Sequence, residues 1–200
     1  YNETDGRPIL PTPTVAVVGQ LEAIEHRLGL GFQRPGDVVA LLGDFGPGSL
    51  GGSEWLTRRT GRVGGQPPTI DLRAERALQD AVLYLARAQA LRSAHDLSDG
   101  GLAVALSEAC IALGRGAHIK LPELSLPLES VLFGEDPSRV LVSFDEKHRS
   151  QVEEACQRHG VPFYPLGLVE DGDELTIDGV SRWPLSALAA AHEAALDAVT

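Results

Sequence analysis

The sequence contains no methionine, only two cysteines and two lysines, and just five per cent of its 200 residues are aromatic. A chain that opens on Tyr1 with no Met anywhere is expected to be a fragment, a processed chain or a trimmed product. Cys110 and Cys156 stand 46 positions apart with no C-x-x-C pair and no histidine at metal spacing. That pattern excludes a disulfide framework and a cysteine metal site, and leaves two buried thiols in a reducing cytoplasm. No apolar run approaches the ~20 residues a membrane span needs, and no basic n-region precedes an apolar stretch as in a signal peptide. The net charge of −11, without a Lys/Arg stripe, argues against nucleic acid or an anionic membrane as partner. It does not exclude a local phosphate site built from backbone N–H groups and single arginines.

What is present is ordinary globular chemistry, 43% hydrophobic and 22% charged. A chain of this length buries roughly 70% of its unfolded surface without a staple. Fifteen arginines against Lys120 and Lys147 read mainly as compositional bias. Residues 1–13, with three prolines and no periodicity, read as an extended arm, and 14–200 as one domain. Strands are predicted at Thr14–Gly19, Asp37–Gly43, Ser93–Leu97, 117–121, 139–144, 162–169 and 174–178. A short helical turn is expected at Leu21–Leu28. Helices are predicted over about 53–60, 72–91 (capped by Asp71), from Leu102 to about Leu113, over 147–159, and from near Pro184 to the end. The order of elements points to an α+β fold: a mixed, largely antiparallel sheet with helices packed on one face.

Three turns carry the polar chemistry. Gly46-Pro47-Gly48-Ser49-Leu50-Gly51 matches G-x-G-x-x-G, but Pro47 restricts the turn and Asp71 opens a helix instead of ending a second strand, so a dinucleotide fold is rejected. A P-loop fails for want of Gly-Lys-Ser/Thr. Two readings stay open: glycines permitting a tight turn, or Gly51, Gly52 and Ser53 presenting N–H groups to a phosphate or carboxylate. In His95–Leu102 (HDLSDGGL), Asp96, Ser98 and Asp99 are short acceptors, and Gly100 and Gly101 lead into an apolar helix. They either hold a ligand or cap the helix. His95 reads as a structural imidazole. In Phe133–Arg139 (FGEDPSR), Glu135 and Arg139 form either a surface pair or a strand-edge ligand site.

Taken in order, YNET with PTP, LGGSE, HDLSDGGL and FGE-x-x-x-R closely resemble the C-terminal part of the phosphoribosylformylglycinamidine synthase family, in its large synthetase subunit. This family belongs to the aminoimidazole-ribonucleotide-synthetase superfamily, and the resemblance runs over essentially all 200 residues. Its siblings, thiamine-monophosphate kinase, selenophosphate synthetase and the hydrogenase-maturation dehydratase, have different counterparts of SDGG. The resemblance implies a carbon–nitrogen ligase of purine biosynthesis. ATP activates the amide oxygen of formylglycinamide ribonucleotide, and ammonia drawn from glutamine displaces phosphate to give the amidine, with Mg²⁺ required. It implies as partners the remaining domains of the same subunit, a glutaminase subunit or domain, and a small subunit. The family's subunit has two tandem copies of an ATP-site domain followed by a C-terminal α/β domain, and this chain resembles the second C-terminal domain.

In the family the catalytic His and most Mg²⁺ and substrate ligands lie in the first copy. A metal-binding Asn and a substrate-contacting Ser sit directly before the position of Tyr1. The family's acid-Ser-Gln substrate string is replaced here by Glu135-Asp136-Pro137, with Pro137 in place of the amide side chain. No catalytic residue and no metal ligand is therefore expected in this chain. By itself it should be inert, bind neither ATP nor Mg²⁺, and form half of a composite cleft. The alternatives are a free-standing nucleotide- or phosphate-binding module and a domain that docks a partner subunit through its acidic surface.

Overall fold

The computed structural model describes residues 3–4, 6–9 and 13–197. Much of the arm expected over residues 1–13 lies outside them. Within it, β1 (Glu3–Thr4) pairs antiparallel with β2 (Arg7–Pro8). The strand expected at Thr14–Gly19 is not formed: these residues have no regular structure, and Val15, Val17 and Val18 are 82, 89 and 98% exposed. A β-branched run supplies strand propensity, but it becomes a strand only beside a hydrogen-bonding neighbour, and none pairs with it among the described residues. The helical turn expected at Leu21–Leu28 shrinks to a 3₁₀ turn, Ile24–His26.

The remaining elements follow as β3 (Val38–Leu42), α1 (Glu54–Thr60), α2 (Leu72–Arg87), β4 (Ser93–Asp96), α3 (Gly101–Ile111), β5 (Gly116–Ile119), α4 (Leu128–Phe133), β6 (Val140–Phe144), α5 (Arg149–His159), β7 (Phe163–Glu170), β8 (Glu174–Ile177), β9 (Ser181–Pro184) and α6 (Leu185–Asp197). Seven strands form one sheet in the order β4-β6-β3-β7-β5-β8-β9. Every pairing is antiparallel except β5 with β8. Pro165 is accommodated inside β7 where the β3–β7 register shifts, Val39 facing Gly167 and Ala40 facing Pro165. A proline cannot donate to the ladder, and a bulge is where a sheet tolerates one.

β3 explains the layering. All five of its residues are buried, so both of its faces need cover. Val39 and Leu41 join Leu102, Leu106 and Ala109 of α3 and Leu132 of α4 on one face. Val38, Ala40 and Leu42 join Leu78, Ala81 and Leu85 of α2 and Val152 and Ala155 of α5 on the other. Helices thus cover both faces, not one. An uninterrupted apolar strand, unlike an alternating one, has no face to offer water.

Arg92 ties the start of β3 to the end of β6. Its Nε donates to Asp37 Oδ1 at 2.8 Å and its Nη2 to Asp145 Oδ2 at 3.0 Å. The Ser93 and Ser143 hydroxyls share a buried hydrogen bond of 2.6 Å across β4 and β6. No described helix is long and apolar enough to cross a membrane.

Both thiols are buried free cysteines. Burial pushes the Cys110 thiol from 9.0 up to about 12 and the Cys156 thiol up to about 11, since the thiolate loses its hydration there. A group whose folded value is raised contributes stability that is complete below its unfolded value and lost as pH rises toward the folded one. The urea midpoint should therefore hold between neutral pH and about pH 9 and fall above it. Cys110→Ala should flatten that alkaline decline, as midpoints measured from pH 7 to 10.5 would show.

Candidate functional site

The topology collects the three polar turns at one end of the sheet. β4, β6 and β3 are neighbours, with β6 antiparallel to both, and Val140 at the start of β6 faces Leu42 at the end of β3 and Asp96 at the end of β4. The chain leaving β3, the SDGG turn leaving β4 and the FGEDPSR turn entering β6 therefore emerge together.

Glu135 joins them. Its Oε1 accepts the Gly100 N–H at 2.8 Å and the Glu54 N–H at 2.9 Å. Gly100 is the N-cap of α3, with φ +80°, and Glu54 is the first residue of α1. One carboxylate oxygen thus meets two helix N-termini, where orphan N–H groups favour an anion. Ser53, itself buried, caps α1 by accepting the Leu56 N–H at 3.2 Å and donates to the Leu50 carbonyl at 2.7 Å.

The glycines owe their places to close packing. A Cβ on Gly101 would collide with the Gly134 carbonyl oxygen, one on Gly100 with the Val104 side chain, and one on Gly51 with the Gln66 backbone. Gly52, at φ +77°, is different: a Cβ there would make only ordinary contact, 3.9 Å from Pro67. Asp96, Ser98 and Asp99 are exposed. The Ser98 hydroxyl donates to Asp96 Oδ2 at 2.6 Å and holds that carboxyl below its ordinary value.

Arg139 lies beneath the site, 2% exposed, and not in a pair with Glu135. Its Nε donates to the Asp136 carbonyl at 3.0 Å and its Nη2 to the Gly134 carbonyl at 2.6 Å. Burial lowers its affinity for its proton, while Asp136 and Asp44 oppose that. Asp136 is 4% exposed, and burial raises its carboxyl against the pull of Arg139. Asp136 lines a cavity of about 310 Å³ together with Asp44, Gly46, Asp71 and Ser138. Ser138 has φ +63°, a conformation rare outside glycine, and its hydroxyl donates to Glu75 of α2 at 2.6 Å.

His95 is a bridge between β4 and α3, with Nε2 2.8 Å from Glu108 Oε2. The sequence reading did not single out Trp55, whose ring stacks on Phe133 with centroids 6.3 Å apart. The two rings, with Arg58, Arg59, Gly100 and Val104, line an open groove of about 380 Å³. The signal was available: Trp55, one of only two tryptophans, directly follows GGSE.

As chemistry, the site offers backbone donors already satisfied by the chain's own carboxylate. Among the described residues no three His, Cys, Asp or Glu side chains are grouped to hold a metal ion. The donors that would cradle a nucleotide's phosphates at Glu54 and Gly100 are engaged by Glu135, so the residues present do not fit ATP at these turns.

Comparison with known proteins gives a consistent picture. The family model described as AIR synthase related protein, C-terminal domain, matches residues 34–180. A protein of Anaeromyxobacter dehalogenans (strain 2CP-C) named phosphoribosylformylglycinamidine synthase subunit PurL is 43% identical over all of this chain, which covers 27% of that relative. Among solved structures, Thermotoga maritima PurL complexed with FGAR has a TM-score of 0.68 at 23% identity, covering 83% of this chain and 30% of that one. The structure of PurLQS from the same organism has a TM-score of 0.65 at 22% identity, over 83% of this chain and 28% of that one. At these identities the solved structures establish the fold.

The packing around the glycines has a measurable consequence. Gly101→Ala forces a side chain into a φ of +61° and against the Gly134 carbonyl, and should cost about 2 kcal/mol or more. Gly52→Ala meets the strained φ alone and should cost about 1 kcal/mol. Urea midpoints of the two variants would check the order.

Proposed function

The chain belongs to the family of AIR synthase related C-terminal domains, and from that premise we propose that it serves as the second C-terminal α/β domain of the synthetase subunit of phosphoribosylformylglycinamidine synthase. The end-to-end match to a relative named as that subunit carries the reading. The chain spans about a quarter of the curated relatives it matches, at 27% and 26% of their lengths. The reaction is therefore one of the whole subunit: ATP-dependent conversion of formylglycinamide ribonucleotide and glutamine-derived ammonia to the amidine, in the cytoplasm. Residues 1–13 act as the arm leading from an ATP-site domain, and 14–200 as the domain itself.

In this reading the 200 residues contribute architecture to a composite cleft. ATP supplies the phosphoryl group that activates the amide oxygen, and Mg²⁺ supports that transfer, both held by other parts of the subunit. The turns at Gly51–Ser53, Asp96–Gly101 and Glu135 shape the rim of the domain where such parts meet it. A glutaminase subunit or domain and a small subunit are its partners in assembly, a reading that the likeness to the PurLQS structure of Thermotoga maritima supports.

The purified chain, given ATP, Mg²⁺, formylglycinamide ribonucleotide and an ammonium salt, should release neither ADP nor amidine above a protein-free control. A subunit lacking these residues should be inactive and recover turnover when the chain is added in trans. Turnover by the chain alone, or full activity of the shortened subunit, would overturn the proposal.

A further inference from the structure

Between Phe45, which is buried in the core, and Asp71, which caps α2, the chain makes an excursion over residues 46–70 that carries α1. The excursion is closed at its neck. The Gly52 N–H donates to the Gly64 carbonyl at 2.8 Å, the Ser49 hydroxyl reaches the Gln66 carbonyl at 3.4 Å, and a Cβ on Gly65 would fall 2.7 Å from the Gly51 Cα. Its base is seated, with Gly46 packed on Asp136 and Gly48 on Ser130. Its far end is not: α1 buries none of its seven residues, and Arg58, Arg59, Arg62 and Val63 are exposed. Compact surface loops of this kind, packed on themselves and thinly tied to the body, are the usual low-stability units of a fold.

Two contacts that tie α1 to the body come from one three-residue segment. Glu135 Oε1 accepts the Glu54 N–H, and the Phe133 ring stacks on Trp55. Gly134 between them is fixed from below by the buried Arg139 guanidinium. The same Glu135 oxygen also receives the Gly100 N–H, so it remains anchored on α3 whether or not α1 is in place.

We propose that residues 46–70 are a flap latched to the body by the Glu135 carboxylate and the Trp55–Phe133 stack, and that its release removes one wall of the groove and uncovers the surface of Gly100, Val104 and Phe133. The flap swings as a unit because its neck is closed internally, and the sheet and α2 stay folded as it moves. The latch is charge-assisted at the amide end and apolar at the ring end, so each half can be removed separately.

Limited trypsin digestion of the 200-residue chain tests this directly, with cleavage sites mapped by mass. When opening is fast compared with cleavage, the rate reports the population of the open form. Glu135→Ala should accelerate cleavage after Arg58, Arg59 and Arg62 about ten- to a hundredfold. Cleavage after Arg87 and Arg158 should not change. Glu135→Gln keeps an acceptor oxygen but loses the charge, and should accelerate the same three sites less than Glu135→Ala does. Trp55→Ala removes the other half of the latch and should accelerate the same three sites while leaving the melting midpoint in place. Unchanged cleavage in Glu135→Ala overturns the latch. Should that variant fail to fold, Trp55→Ala decides: acceleration confined to the flap supports the proposal, and none, or acceleration throughout the chain, overturns it.

Discussion

The oxygen of Glu135 that receives the Glu54 and Gly100 amides connects parts of the chain 81 and 35 residues away. Around it the other contacts fall into a hierarchy. Arg139 fixes the Gly134 carbonyl, Gly134 sets the direction of Phe133 and Glu135, and these two hold α1 and the first turn of α3. The glycines take their meaning from the same arrangement. Gly101 lets the α3 turn approach the Gly134 carbonyl, and Gly51 lets the two legs of the flap touch. Residues that in isolation suggest a phosphate cradle are here the means by which backbone meets backbone, with a carboxylate of the chain standing where an external anion would.

That convergence is a product of sheet topology. An antiparallel strand begins where its neighbours end, so whatever follows β3 and β4 must lie beside whatever precedes β6. The order β4-β6-β3 places the three turns side by side at one rim, and the opposite rim holds the Arg92 bridge to Asp37 and Asp145. One end of the sheet is thus tied by charges across strands. The other is finished by turns whose hydrogen bonds run into backbone amides.

Much of the fold was legible because its signals are local. The run DVVALLG and the Asp71 cap with the apolar stripe of α2 each report on a few adjacent residues, and the structure places those elements within a few positions of expectation. The errors arise where a neighbour decides. Thr14–Gly19 has strand composition without a partner strand. α4 is a six-residue helix after Pro127, masked by the prolines around it, and β9 is an edge strand whose four residues include only one half-buried apolar side chain, Trp183. Covering β3 on both faces was implied by its unbroken apolar run, yet the order of elements alone suggested one layer of helices. The site was legible as three strings and not as one place: no spacing in the sequence states that residues 54, 100 and 135 meet.

The buried pair beneath the site shows what this geometry is for. Asp136 and Arg139 each leave a side-chain atom, Oδ2 and Nη1, without a partner, and desolvation works against the charge on both. Charges held in this way add little net stability, and apolar residues of similar volume often do as well. A guanidinium, however, can grip two carbonyls in fixed directions, and here it grips those of Asp136 and Gly134, on either side of Glu135. No apolar side chain could orient that segment. The strained Ser138, held by Glu75 of α2, closes the same turn from the other side. The turn is therefore built for position at the expense of stability, and what it positions is the single carboxylate oxygen on which the flap and the α3 turn both rest.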